Sequence, residues 1–109
     1  MKTTPFVEYV VHELFADMGI TYRFNFGGWT LFKDKQSFAI IVDDIFYWKA
    51  GTNNLEKLNK HGKRFEYDMN GKVGYMNYYS DDIESRSTDE RKKMMQESLE
   101  AKQFPIKNK

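Results

Sequence analysis

The sequence predicts an α+β fold, with an antiparallel β-sheet (four-strand meander plus hairpin) and helices packed on one face. Three observations carry that prediction. An apolar stripe recurring every four residues opens the chain, and a period of two replaces it from Ile20 onward. The links between extended runs are short, whereas parallel crossovers need about a dozen residues or more. The expected order is α-β-β-β-β-α-β-β-α, within a single domain over residues 1–109.

The first helix starts behind Thr4, a capping residue, with Pro5 at the tolerated first position and Gly19 beyond its last turn. Phe6, Val10, Leu14 and Met18 form its buried stripe, widened by Val7, Val11 and Phe15, while His12 and Asp17 face water. Ile20, Tyr22, Phe24 and Phe26 then alternate with Thr21, Arg23 and Asn25, the pattern of a strand with one apolar face. Gly27-Gly28 interrupts this run, and residues 29–33 resume it. Asp34-Lys35-Gln36 turns into a strand over residues 37–42, and Asp43-Asp44 turns into one over residues 45–49. The run Phe38 to Val42, apolar throughout, reads as a central strand buried on both faces.

Asn53 with Glu56 has capping-box spacing for a short helix, edged by Leu55 and Leu58 and ended by Gly62. Asn70-Gly71 between residues 65–69 and 72–79 is a strong hairpin signal, because both residues accept the positive φ of a type I′ turn. A last helix starts near Ser87, with Glu90 completing a capping box, and runs through Arg91–Gln103 toward Pro105. Its apolar face is thin, limited to Met94, Met95, Leu99 and Ala101, which predicts weak packing or a partner.

Composition narrows function by exclusion. The formal charge of +1 over 109 residues argues against attraction to nucleic acid or anionic membrane by bulk charge. Locally, residues 80–90 carry −4 and residues 91–109 carry +4, an order that suits the dipole of the last helix. No apolar run approaches the ~20 residues of a membrane helix, and the absence of cysteine fits a reducing compartment, so the expected location is cytoplasmic. Without cysteine there is no thiolate nucleophile or cysteine metal site. The histidines, His12 and His61, stand in no hydrolase or metal-binding motif, and Asp43-Asp44 reads as a turn rather than a catalytic pair. The expectation is a protein with no catalytic residues, no cofactor and no metal.

Two binding surfaces remain. One is a protein-contact region around Gly27, Gly28 and Trp29, with a second on the final helix at Met94, Met95 and Leu99. The alternative is direct nucleic-acid binding by Lys57, Lys60, Lys63 and Arg64 with exposed Trp48, Tyr78 and Tyr79, in which bases stack on rings and phosphates meet cations. A small ligand on the sheet's uncovered face is a weaker third reading. Aromatic residues make up 17% of the chain, which makes a homodimer through the uncovered face or an edge strand an oligomeric expectation.

The segment Phe26-Gly27-Gly28-Trp29-Thr30-Leu31-Phe32, followed by Phe38 through Asp43-Asp44 to Lys49, closely resembles the N-terminal domain of the TfoX (Sxy) family. The likeness resumes at Phe65, Tyr67, Gly71-Lys72 and Met76-Asn77-Tyr78-Tyr79, and spans roughly residues 5–80. It departs from the family at Asn25-Phe26 and at Asp81-Asp82. The resemblance implies an α+β domain without catalytic residues, from bacterial regulators of competence. Full-length members activate DNA-uptake genes together with the cyclic-AMP receptor protein and carry a second, helical domain. What it implies here is a stand-alone N-terminal module acting in transcription regulation through a protein partner, with no membrane involvement.

Overall fold

The computed structural model describes residues 2–25 and 27–101. Phe26, and the helical continuation expected over residues 102–103 before Pro105, lie outside the described residues. Helix α1 (Pro5–Tyr9) is capped by Thr4, whose Oγ1 accepts the Val7 N–H at 3.2 Å. It continues as a π-helical turn over Val10–Leu14, closed by the Phe15 N–H on the Val10 carbonyl at 3.0 Å. The wider turn brings Val10, Val11, Leu14 and Phe15 to the same buried side, an arrangement that the sequence spacing showed only as a broad stripe.

Strands β1 (Ile20–Asn25), β2 (Gly28–Lys33), β3 (Gln36–Val42) and β4 (Ile45–Lys49) form the expected antiparallel meander. Asp34, Lys35, Asp43 and Asp44 all adopt positive φ, as Asn70 and Gly71 do, so three two-residue turns share the twist suited to hairpins. After α2 (Leu55–His61), β5 (Arg64–Met69) and β6 (Lys72–Asp81) complete a six-stranded sheet of order β1-β2-β3-β4-β6-β5. The final helix, α3 (Thr88–Leu99), begins with the expected capping box between Ser87 and Glu90.

Cross-strand partners share a face, so the register sorts the side chains. One face carries Trp29, Leu31, Ala39, Ile41, Phe46, Trp48 and Tyr79, and it receives the helices. A bulge in the β2–β3 ladder leaves Phe38 as an extra residue, and its ring still reaches Phe15 and Trp48 on this face. Trp48 sits at the centre, fully buried, with its ring 4.8 Å from that of Phe46. Its Nε1 donates to Asp81 Oδ2 at 2.8 Å, and the same carboxylate accepts two bonds from Arg86.

Several expectations need correcting. Asn54, not Asn53, precedes α2, and it serves the loop rather than the helix. Its Oδ1 accepts from the Gly51 N–H and its Nδ2 donates to the Lys49 carbonyl. The apolar side of α3 is thin, but the helix does not pack weakly. Met94 and Met95 are buried in the core, Ser98 Oγ donates to the Lys49 carbonyl at 2.9 Å, and buried Arg91 donates through Nε to the Leu14 carbonyl at 2.9 Å. Polar side chains fasten what apolar spacing alone left loose. Gly62 ends α2 as expected and has a second duty, since a Cβ there would stand 1.7 Å from the Ser80 carbonyl oxygen.

Candidate functional site

Among the described residues, the opposite face of the sheet receives no helix. By register it carries Arg23, Thr30, Phe32, Ile40, Val42, Tyr47, Met76 and Tyr78, with Phe65 opposite Met76. Between Arg64 and Phe65 the β5–β6 register shifts. A hollow of about 250 Å³ on this face is lined by residues from Phe32 of β2 to Met76 of β6.

The hollow's floor and walls are mainly apolar: Phe32, Ile40, Val42, Phe65, Met76 and Tyr78. Polar groups sit at its ends. Thr30 Oγ1 donates to Asn25 Oδ1 at 2.9 Å toward one end, and Ser37 and the Tyr78 phenol lie at the other. Burial pushes the Tyr78 phenol above its ordinary range, against the opposing effect of Ser37. Tyr47, beside Phe65 with ring centroids 5.1 Å apart, is raised by burial and then by the Asp43 charge. Arg23 lies over the Phe32 ring at 5.4 Å.

The second exposed feature is the β5–β6 hairpin beyond the helices. Tyr67, Met69, Val73 and Tyr75 are four of the six large hydrophobic side chains exposed among the described residues. The hairpin outruns the helices, so among the described residues no helix packs on its tip. As the last strand in the sheet order, β5 also presents an edge with no strand beside it among the described residues.

The structure scatters the residues singled out from sequence. Gly27 is exposed with φ +79°, but Gly28 is buried, and a Cβ on it would meet the Ile41 carbonyl oxygen at 2.7 Å. Trp29 is half-buried against Tyr22 and Phe24 and lines a shallow cleft with Gly27, Asp43 and Asp44. Met94 and Met95 belong to the core, and Leu99 is half-buried against it, so α3 offers no apolar contact face there. Trp48 and Tyr79 are buried, which removes both from the expected set of exposed rings. Tyr78 points to the open face, away from Tyr79, because neighbouring strand residues alternate. Lys57 pairs with Glu97 at 3.1 Å, whereas Lys60, Lys63 and Arg64 are exposed. The Arg64 guanidinium lies over Tyr75 instead. Alternation could have pointed to the open-face rings; the hollow itself is lined from five strands, a grouping that has no signature in spacing.

Among the described residues no group of three or more His, Cys, Asp or Glu side chains is placed to hold a metal ion. Asp44 is engaged by Thr4, whose Oγ1 donates to its Oδ1 at 2.6 Å, and His12 pairs with Glu8 at 3.0 Å. No described helix is long and apolar enough to cross a membrane.

The family model for the TfoX N-terminal domain matches residues 13–102, most of the chain. The chain belongs to the TfoX N-terminal domain family. The match runs from the π-helical turn through all six strands and α3, so it includes the last helix, which lay beyond the resemblance in the sequence motifs. No curated protein matches the chain. In this TfoX N-terminal domain, the Gly27-Gly28-Trp29 motif shapes the β1–β2 turn and packs it on β3.

Proposed function

We propose that this TfoX N-terminal domain protein is a non-enzymatic regulator of transcription, in the competence setting of its family, acting through protein contacts. The observation that carries the reading is the β5–β6 hairpin, where exposed apolar side chains coincide with an open sheet edge. The occupant we assign is an extended segment of a partner protein, added alongside β5 as a further strand. On β5, Phe65, Tyr67 and Met69 share one face, and Glu66 and Asp68 share the other. That alternation is complementary to a segment alternating apolar with basic residues. The absence of catalysis rests on the inventory of residues: no cysteine, and histidines outside any catalytic motif.

The test compares cross-linked capture from native lysate by the wild type and by Tyr67→Lys, a change that blunts an edge strand without touching the core. The expected result is a transcription factor or RNA polymerase subunit retained by the wild type and lost by the variant. Retention of no transcription component overturns the reading. Light scattering over a range of concentrations gives the other outcome: a dimer abolished by Tyr67→Lys would assign the edge to a second copy of this chain instead.

A further inference from the structure

The hollow on the open face has a size, a lining and a charge that together specify a ligand class. At about 250 Å³ it exceeds the roughly 150 Å³ cavity that accepts one benzene ring and is smaller than most drug-sized sites, so it suits one ring or a fused pair. Phe32, Phe65 and Tyr78 offer ring surfaces, and Ile40 and Met76 fill the space between them. The site shares Phe65 with β5 but does not use that strand's open backbone edge.

Charge is distributed unevenly around it. The strand positions of the open face include Arg23 opposite Thr30 and Lys49 opposite Tyr78, and they include no Asp or Glu. Neither cation lines the hollow itself: Arg23 reaches over Phe32 from β1, and Lys49 on β4 is the strand neighbour of Tyr78, so the two flank the Phe32–Tyr78 end from outside. The carboxylate of Asp43 belongs to the β3–β4 turn, beyond Val42 at the opposite end. An anionic group is therefore favoured at one end only.

We propose that the hollow binds a small planar aromatic molecule carrying one anionic group. Its ring lies among Phe32, Ile40, Phe65 and Met76, and its anion points toward Arg23 and Lys49. A hollow of about 250 Å³ favours one ring over the extended platform on which successive bases of a single strand would stack.

Two-dimensional amide NMR titration with 2-naphthoate tests this, beside its neutral analogue 2-naphthamide and a thymidine oligonucleotide. The expected result is saturable shifts at Phe32, Ile40, Phe65 and Met76 with 2-naphthoate, and about threefold to tenfold weaker binding of 2-naphthamide. Combining Arg23→Gln with Lys49→Gln should lower 2-naphthoate to the level of the amide and leave the amide unchanged. Ile40→Trp should fill the hollow and abolish both. The charge variants alter outward-facing side chains, so they test the assignment even where Ile40→Trp disturbs folding. Equal affinity for acid and amide, shifts confined to other residues, or no saturation overturns the proposal. Salt-sensitive shifts of the same amides with the oligonucleotide alone would replace it with a nucleic-acid surface.

Discussion

The two faces of the sheet are built from the same kinds of residue and reach opposite states. The covered face takes Phe46, Trp48 and Tyr79 under three helices and seals them with polar bonds from Arg91, Ser98 and Asp81. The open face takes Phe32, Phe65 and Tyr78, which no described helix covers and which line a hollow. An aromatic side chain is a structural part on one side and part of the proposed binding surface on the other. What separates the two is whether a helix lies above it, together with buried polar groups that find partners.

Truncation should separate the faces most sharply. Trp48→Ala removes the ring in contact with Phe15, Phe38 and Phe46 and leaves Asp81 without its indole donor. A loss of about 3–5 kcal/mol is expected from urea unfolding. Phe65→Ala, half-buried on the open face, should cost clearly less, and equal losses would show that the open face is core after all.

Next in size comes the polar seal. Arg91→Ala leaves the Leu14 carbonyl without its side-chain donor and should lower stability by about 1–3 kcal/mol. Hydrogen exchange should show the π-helical turn and α3 loosening together. Loosening of α3 alone would mean that Arg91 does not join them.

The smallest effects are in pH dependence, and the two sides should differ in sign. Burial raises the folded Tyr78 phenol, so the unfolded chain ionises it first, at about 10. Its stabilising contribution is complete below that value and disappears as pH climbs through the folded one. Glu90, held down first by the Ser87 backbone N–H and then by Arg86, behaves inversely. Its contribution is complete above the ordinary carboxylate range and is lost as pH falls through its lowered value. Denaturant midpoints across pH should therefore show Tyr78→Phe flattening the alkaline limb and Glu90→Gln flattening the acid limb. Either variant acting on the wrong limb would contradict the assignment.

Much of the architecture could be read from local pattern. Thr4 and Pro5, the Ser87–Glu90 box, Asn70-Gly71 and the alternation from Ile20 each act within a few residues, and each forms where expected. The misreadings share a cause. Asn53 and Asn54 are equally good caps by type, and it is the Gly51 N–H and the Lys49 carbonyl, the latter at the end of β4, that engage Asn54. Met94 and Met95 look too few to hold a helix because spacing counts apolar residues and overlooks Arg91 and Ser98. Trp48 and Tyr79 look available for stacking because position in a strand does not say which face a helix will cover.

By itself, the sequence determined the elements, their turns, the family and the lack of a familiar catalytic motif, since all of these depend on neighbours along the chain. Tertiary structure alone decided which aromatic residues became core, where the hairpin escaped its helices, and which strands together line a hollow. Those outcomes depend on burial and on contacts between segments far apart in sequence, and no local period encodes them.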